Sequence, residues 1–252
     1  VPFIKEAEDL TADGVAVLEA SSFQLEGTKS FKPRVSVVLN ITPDHIDRHG
    51  SFQGYIGAKS KIFANQDEKD WLVLNMDDEK TRALAHMASS RVIFISRKHI
   101  LDEGFCVVDG YICAKFNNEM TKIIKIEEIK IKGSHNLENA LAAVAAGWLL
   151  GVKASSLAES LRTFPGVEHR LEEVLEINGV CYINDSKGTN PDAAIKALET
   201  FDEPIILIAG GKSKGSDFTP FARIIKEKVK RLILVGAAAK EIEEAVRNVG
   251  YI

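Results

Sequence analysis

The chain has 252 residues, 45% of them hydrophobic and 27% charged, with 36 acidic against 32 basic side chains for a net charge of −4. That length suits one large domain or two ordinary ones, and the hydrophobic share excludes a wholly disordered chain. Without a dense Lys/Arg block there is no basic face for generic nucleic-acid binding. The longest small-apolar run, 140–152, is broken by Gly147 and is too short to span a bilayer. No signal-peptide pattern opens the chain, so a cytoplasmic protein with neither membrane insertion nor a nucleic-acid partner is expected. The chain starts Val-Pro without an initiator Met and stops at Tyr251-Ile252, where another apolar strand would begin, so both ends read as cuts.

In chain order, short apolar runs at 15–18, 35–39, 71–74 and 92–95 read as buried strands bounded by polar or turn residues. Between them, 52–64 and 79–88 carry helical spacing, the first weakened by Gly54 and Gly57. The 105–126 stretch reads as a small β insertion, with Asp109-Gly110 as a two-residue hairpin turn. Counting outward pairs Val108 with Tyr111, Val107 with Ile112, and Cys106 with Cys113, the last pair with Cα atoms about 5.5 Å apart. Three cysteines without a C-x-x-C pair favour a reducing compartment and free strand thiols over a bridge. The Ala-rich run 137–150 reads as a buried helix ended by Gly151, and Ser156-x-x-Glu159 as a capping box for the next helix.

A boundary falls near Pro165-Gly166. Beyond it, 171–177 and 180–184 flank Asn178-Gly179 as a hairpin, and a helix over 191–200 has Asn190 as cap and Pro191 at its first position. Strands at 205–209 and 232–235 then alternate with helices at 220–228 and 239–246. The pattern predicts an α/β protein with doubly wound, mostly parallel sheets in two domains, 1–164 and 165–252.

Gly210-Gly-Lys-Ser213 after the apolar strand invites a phosphate-loop reading. That motif would need its first Gly at position 206, which is Ile206 inside the strand, so the match fails. Gly210, Gly211 and Gly215 with Lys212 and Lys214 leave two readings open, an anion-binding loop or a solvated turn. No G-x-G-x-x-G occurs, so a nicotinamide or flavin cofactor lacks its usual fingerprint.

Several polar strings could carry chemistry. Glu19 ends the first apolar run, where α/β sheets place ligands, although an acid there also suits a solvated rim. The string from Asn40 to His49 interleaves Asp44, His45, Asp47 and His49 on a Pro-stiffened turn. A carboxylate with a single imidazole favours Mg²⁺ or Mn²⁺; a His45/His49 zinc pair has no third ligand at the required spacing, and a turn-capping surface histidine stays open. Lys59 by itself reads as a solvated helix face. His135-Asn136-Leu-Glu-Asn139 opens the Ala-rich helix with amides suited to a phosphate or a nucleotide base. His169-Arg170 and Asn184-Asp-Ser-Lys-Gly-Thr-Asn-Pro191 occupy loops of the kind that carry function, though an N-capped turn would use the same residues.

Together, Glu19-Ala-Ser-Ser-Phe-Gln-Leu25, Thr42-Pro-Asp-His-Ile-Asp-Arg48, Ala58-Lys59, His135-Asn-Leu-Glu-Asn139, Glu168-His-Arg170 and the 184–191 string resemble the Mur ligase family, in order and spacing over nearly the whole chain. The likeness is greatest to its D-glutamate-adding branch. The resemblance implies an ATP-dependent amide ligase of peptidoglycan synthesis, joining D-glutamate to UDP-N-acetylmuramoyl-L-alanine through an acyl phosphate. It implies that 1–164 is a central ATP-binding ligase domain lacking its P-loop. It also implies that 165–252 is a Rossmann-like amino-acid-binding domain short of its C-terminal end. By analogy Glu19, His45 and Lys59, the last as a carbamate, hold Mg²⁺ or Mn²⁺. Asn136, Asn139, Arg170 and Asp185 hold ATP, Ser21, Thr189 and Lys214 hold substrate, and Lys59, His45, Arg170 and Lys187 carry catalysis. A monomer is expected, inactive by itself for want of the P-loop amides. Two alternatives stand beside this: a folylpolyglutamate-synthetase-like ligase, which the 184–191 string opposes, and a degenerate, non-catalytic binding protein.

Overall fold

The computed structural model describes residues 5, 7–11, 13–213 and 215–251. Six strands form one sheet in chain order: β1 (Val35–Val38), β2 (Trp71–Asn75), β3 (Arg91–Ser96), β4 (Gly104–Val108), β5 (Tyr111–Phe116) and β6 (Glu119–Lys125). Strands β1 to β4 run parallel and β4 to β6 antiparallel. Around them lie α1 (Ser22–Glu26), α2 (Ile46–His49), α3 (Phe52–Ser60), α4 (Glu79–Ala83), α5 (Ser134–Leu149) and α6 (Ala154–Thr163).

Period-two alternation sorts the strand side chains onto two faces. Val73, Ile93 and Ile95 pack with Leu141, Val144 and Leu157 of α5 and α6. Leu72, Leu74 and Val38 pack on the other face with Tyr55, Phe63 and Leu84. The small side chains of α5 matter here: Ala140 and Ala145 are buried, which lets the helix backbone lie close to the sheet. Gly54 has a similar reason. A Cβ there would overlap the His49 carbonyl, so glycine lets the start of α3 approach the end of α2, and the helix runs through it.

Several sequence expectations need correction. Residues 15–18 form no strand; Val15 and Val17 are 62% and 93% exposed. A strand exists by its ladder, and β1 pairs only with β2 among the described residues, so apolar content alone leaves this segment extended and unpaired. The 105–126 stretch is not a separate insertion: Ile95 and Ser96 register with Phe105 and Cys106, so β4 continues the main sheet. Helix α3 stops at Ser60, and α4 gives way to a 3₁₀ turn at Leu84–Met87. The capping box at Ser156 does not form. Ser156 and Leu157 donate to the Lys153 carbonyl, so α6 has already begun and Ser156 lies inside it. A capping box appears instead at Ser21 and Gln24, on α1.

The hairpin registers follow their turns. Asp109 (φ 50°) and Gly110 (φ 75°) set Cys106 opposite Cys113, and both thiols are free and buried. Asn178 (φ 52°) and Gly179 (φ 76°) likewise join β7 (Glu172–Ile177) to β8 (Val180–Asn184). Next come α7 (Pro191–Glu199), β9 (Ile205–Gly210), α8 (Thr219–Lys228), β10 (Val229–Val235) and α9 (Ala239–Asn248). The Asn190 side chain accepts the Ala193 N–H at 2.8 Å, capping α7. Strands β9 and β10 pair in parallel. Ile205, Leu207, Leu232 and Leu234 pack on a second core of Leu198, Phe221, Ile225 and Ile242. Ile206 and Ile208 point the other way and are exposed, so helices cover one face of this pair among the described residues. No helix among the described residues is long and apolar enough to cross a membrane.

Candidate functional site

Strand β1 feeds the 39–45 loop, and its carboxyl end lies on the edge of the sheet where parallel α/β proteins gather ligands. A cavity of about 340 Å³ opens there, lined by Glu19, Ser21, Ser22, Phe23, His45, Tyr55 and Lys59. Three elements supply these groups: the segment entering α1, the turn entering α2, and α3. His45 adopts the left-handed conformation (φ 51°) as the residue capping α2, a costly backbone state that recurs at functional sites. Lys59 lies over the Tyr55 ring at 5.2 Å. Burial holds the Lys59 amine below its ordinary range, against the pull of the Asp44 carboxylate in the opposite direction. Burial with the same carboxylate pushes the Tyr55 phenol up.

Glu19, His45 and Lys59 therefore share one cavity although 40 positions separate the first from the last. Ser21 lines it too, while its hydroxyl and amide are engaged with Gln24 in the α1 capping box. His49 forms no pair with His45; its ring bonds Ser22 and Glu26 instead. Among the described residues no group of three or more His, Cys, Asp or Glu side chains is placed to hold a metal ion. A cation here would need a donor of another kind beside Glu19 and His45, and Lys59, Tyr55, Ser21, Ser22 and Gln24 also line the cavity.

A second cluster surrounds the start of α5. Arg97 reaches from the end of β3 to Glu138 at 2.7 Å, and Asp77 fixes that loop by accepting from Ser96 Oγ and the Arg97 amide. Asn139 donates to Asn136 Oδ1, and Asn136 donates to the Lys132 carbonyl. His135 Nδ1 is buried without a hydrogen-bond partner. Burial and then Lys196 hold the His135 imidazole below its usual value, while Asp185 and Glu138 pull it up and Arg170 pushes it down. The α5 start thus lies within electrostatic reach of α7 and of two loops from the second unit. Those loops are tied together, since the Leu171 amide donates to Asp185 Oδ1 and the Lys187 amide to the His169 carbonyl. His169 and Leu171 both take positive φ, 66° and 44°, to make this turn. Gly133 abuts Thr200 so closely that a Cβ would come 2.7 Å from the threonine hydroxyl.

Of the expected nucleotide residues, Asn136 and Asn139 bond one another on α5, while Arg170 and Asp185 act on the His135 charge from the second unit. Lys187 and Thr189 sit exposed on the loop after β8, and Lys214 lies outside the described residues. Tyr55, Glu26 and His135 add to the candidates that the sequence alone offers, Asp44 being among those already. Asp44 and His135 stood inside strings already quoted; Tyr55 and Glu26 had no local signal.

A mostly parallel six-stranded α/β unit is thus followed by a smaller α/β unit, with polar clusters at the sheet edge and where their loops meet. Residues 4–147 match the Mur ligase middle domain, and residues 169–251 the Mur ligase glutamate ligase domain. The chain belongs to the Mur ligase family. It is 54% identical over 250 residues to a UDP-N-acetylmuramoylalanine--D-glutamate ligase of Pelotomaculum thermopropionicum, covering 99% of this chain and 55% of that protein. A relative of the same name from a Thermoanaerobacter species is 50% identical, with the same coverage. The chain spans about half the length of the curated relatives it matches. Among solved structures, MurF from Acinetobacter baumannii superposes with TM-score 0.66 at 20% identity, over 85% of this chain and 49% of that one. UDP-N-acetylmuramate-alanine ligase MurC from Thermotoga maritima gives 0.65 at 23%, over 91% and 51%. These structural likenesses establish the shared fold.

Proposed function

We propose that this chain is the central and C-terminal part of an ATP-dependent amide ligase that adds D-glutamate to UDP-N-acetylmuramoyl-L-alanine in cytoplasmic peptidoglycan synthesis. The observation that carries the reading is the meeting of Glu19, His45 and a half-buried Lys59 on one cavity at the carboxyl edge of the sheet. The substrate choice draws on the relatives' names.

The chemistry fits the donors. A lysine held below its ordinary range keeps more neutral amine at neutral pH than a solvated one, and neutral amine is what adds to CO₂. The neutral amine forms the N–C bond to CO₂ and loses one proton, so that with the proton already shed by the ammonium form a side chain that was cationic ends as an anionic oxygen donor. Carboxylate, imidazole and carbamate together suit a hard divalent cation such as Mg²⁺ or Mn²⁺. When bound, that cation would supply charge neutralisation for phosphoryl transfer. In the reaction the substrate carboxylate takes the γ-phosphoryl group of ATP and ADP departs. The amine of D-glutamate then attacks the acyl carbon, and inorganic phosphate leaves. Arg170 and Lys187 are the cations assigned to the transferring phosphoryl oxygens, where fixed positive charge is worth most. Asn136, Asn139 and Asp185 are assigned to ATP, and Ser21, Thr189 and Lys214 to the substrates.

Phosphate release tests this reading, measured with Mg-ATP, UDP-N-acetylmuramoyl-L-alanine and D-glutamate together and with each omitted. It is run on this chain and on a polypeptide of the relatives' length that contains it. Release that needs all three substrates and occurs only in the longer polypeptide is expected. Silence in both, or full release without D-glutamate, overturns the assignment.

A further inference from the structure

His49 is the most heavily engaged side chain beside the cavity, yet no step of the reaction uses it. Its side chain is 1% exposed. Its Nε2 lies 3.0 Å from Ser22 Oγ and its Nδ1 lies 2.9 Å from Glu26 Oε1. A carboxylate only accepts, so Nδ1 carries the proton donated to Glu26, and Nε2 pairs with the Ser22 hydroxyl. The imidazole therefore spans α1 from its first residue to its last and ties both ends to the last residue of α2. Arg48 adds a second link to Glu26 at 3.1 Å, and Lys61, just after α3, donates to the Glu26 carbonyl at 2.7 Å. The Arg48 and His49 contacts hold the Glu26 carboxyl below its ordinary range, so it stays an acceptor.

The ring also packs. Its centroid is 5.6 Å from Phe23 and 5.3 Å from Tyr55, while Phe23 meets His45 edge-on at 4.8 Å and Lys59 sits over Tyr55. Each of the three groups assigned to the cation is thus one link from His49. Glu19 precedes the helix that His49 clamps, His45 opens the helix that His49 ends, and Lys59 rests on a ring that His49 touches. The connectivity Ser22–His49–Glu26 is that of a nucleophile, base and orienting acid. Ser22, however, is only 4% exposed, so the linkage serves geometry rather than attack on a substrate.

We propose that His49 is the positioning residue of the cation cavity. Through Ser22 and Glu26 it sets how the segment carrying Glu19 and the turn carrying His45 face Lys59. This rests on the reading of Glu19, His45 and Lys59 as the cation-holding set.

The test is Mn²⁺ binding to this chain in bicarbonate buffer, followed by the loss of the free-ion EPR signal, with thermal midpoints taken in parallel. His49→Phe keeps a ring for Phe23 and Tyr55 but removes both hydrogen bonds. Ser22→Ala removes one bond with almost no change of shape. Each is expected to weaken Mn²⁺ binding by about fivefold or more, less than the roughly 10–100-fold lost when the partner bonds a ligand directly, because the His49 ring bonds none of the three. His49→Gln, which keeps a donor and an acceptor, should recover most of the affinity. A purely structural role would lower the thermal midpoint and leave the Mn²⁺ affinity of the folded protein unchanged. Affinities of His49→Phe and Ser22→Ala within twofold of the unsubstituted chain overturn the positioning role alone. No Mn²⁺ binding by the unsubstituted chain overturns the cation reading and this inference with it.

Discussion

Gly210 ends β9 and Gly211 opens the loop that resembles, but is not, a phosphate loop, and they make a matched pair for testing what glycine does there. Both have positive φ, 147° and 99°. A Cβ on Gly210 would overlap the Val235 carbonyl and come 2.8 Å from its carbon, whereas nothing lies within 4 Å of a Cβ on Gly211. Gly211→Ala should therefore cost only torsional strain, about 1–2 kcal/mol. Gly210→Ala carries that strain and must also push β10 away, which breaks the 3.0 Å bond from the Gly211 amide to the Val235 carbonyl. With a lost backbone bond at about 1 kcal/mol and the repulsion added, its total is about 3 kcal/mol or more. Urea unfolding separates the two, because both tryptophans, Trp71 and Trp148, lie in the first unit. Far-UV circular dichroism should show the second unit of Gly210→Ala unfolding about 1 M or more earlier in urea, with the tryptophan transition unmoved. Equal losses in the two variants would refute the steric part of the reasoning. A tryptophan transition that shifts with the dichroism would refute the independence of the two units.

The thiols offer a count: Cys181 is exposed while Cys106 and Cys113 are buried, so a native thiol titration should find one fast group and a denatured sample all 3. A second fast native thiol would contradict the β4–β5 burial. His135 gives a pH dependence. Its folded value lies below the ordinary 6.5, so the unfolded chain holds more protons between those two values. Stability is therefore complete above about pH 6.5 and falls as pH drops toward the folded value, and His135→Gln should flatten that slope in thermal midpoints taken from pH 5 to pH 7.5. A slope unchanged by the substitution would show that burial of His135 is not its source. Arg97→Ala removes the 2.7 Å partner of Glu138, whose side chain is 17% exposed, and should lower the tryptophan-monitored stability by about 1–3 kcal/mol. Glu138→Gln made together with Arg97→Ala should restore part of that loss, since the unpaired charge is gone; no recovery would place the cost elsewhere.

Strands with a partner to find and turns with a fixed geometry are legible in the residues alone. Asp109-Gly110 and Asn178-Gly179 set their hairpin registers because only positive φ at both positions matches the strand twist. Pro191 behind Asn190 began α7 for equally local reasons. The strings holding Glu19, His45, Lys59, Asn136, Asn139, Arg170 and Asp185 stand out as candidates in the sequence because each keeps its polar residues within a few positions. Tertiary structure decided the rest. Residues 15–18 have strand-like side chains but no ladder, and whether a ladder forms depends on a neighbour that local sequence does not contain. Ser156 had the right residue three positions ahead of Glu159, yet the Lys153 carbonyl had already started the helix. Lys59 reads as solvated from its own helix, and only Tyr55 beneath it and the cavity around it make it a half-buried amine held below its ordinary range. His49 sits four residues after His45 with nothing local to engage it, and Ser22 and Glu26, brought to it by the packing of α1 on α2, take both its nitrogens. Burial and hydrogen-bond partnership are properties of what surrounds a side chain, and for these residues the surroundings come from segments distant in sequence.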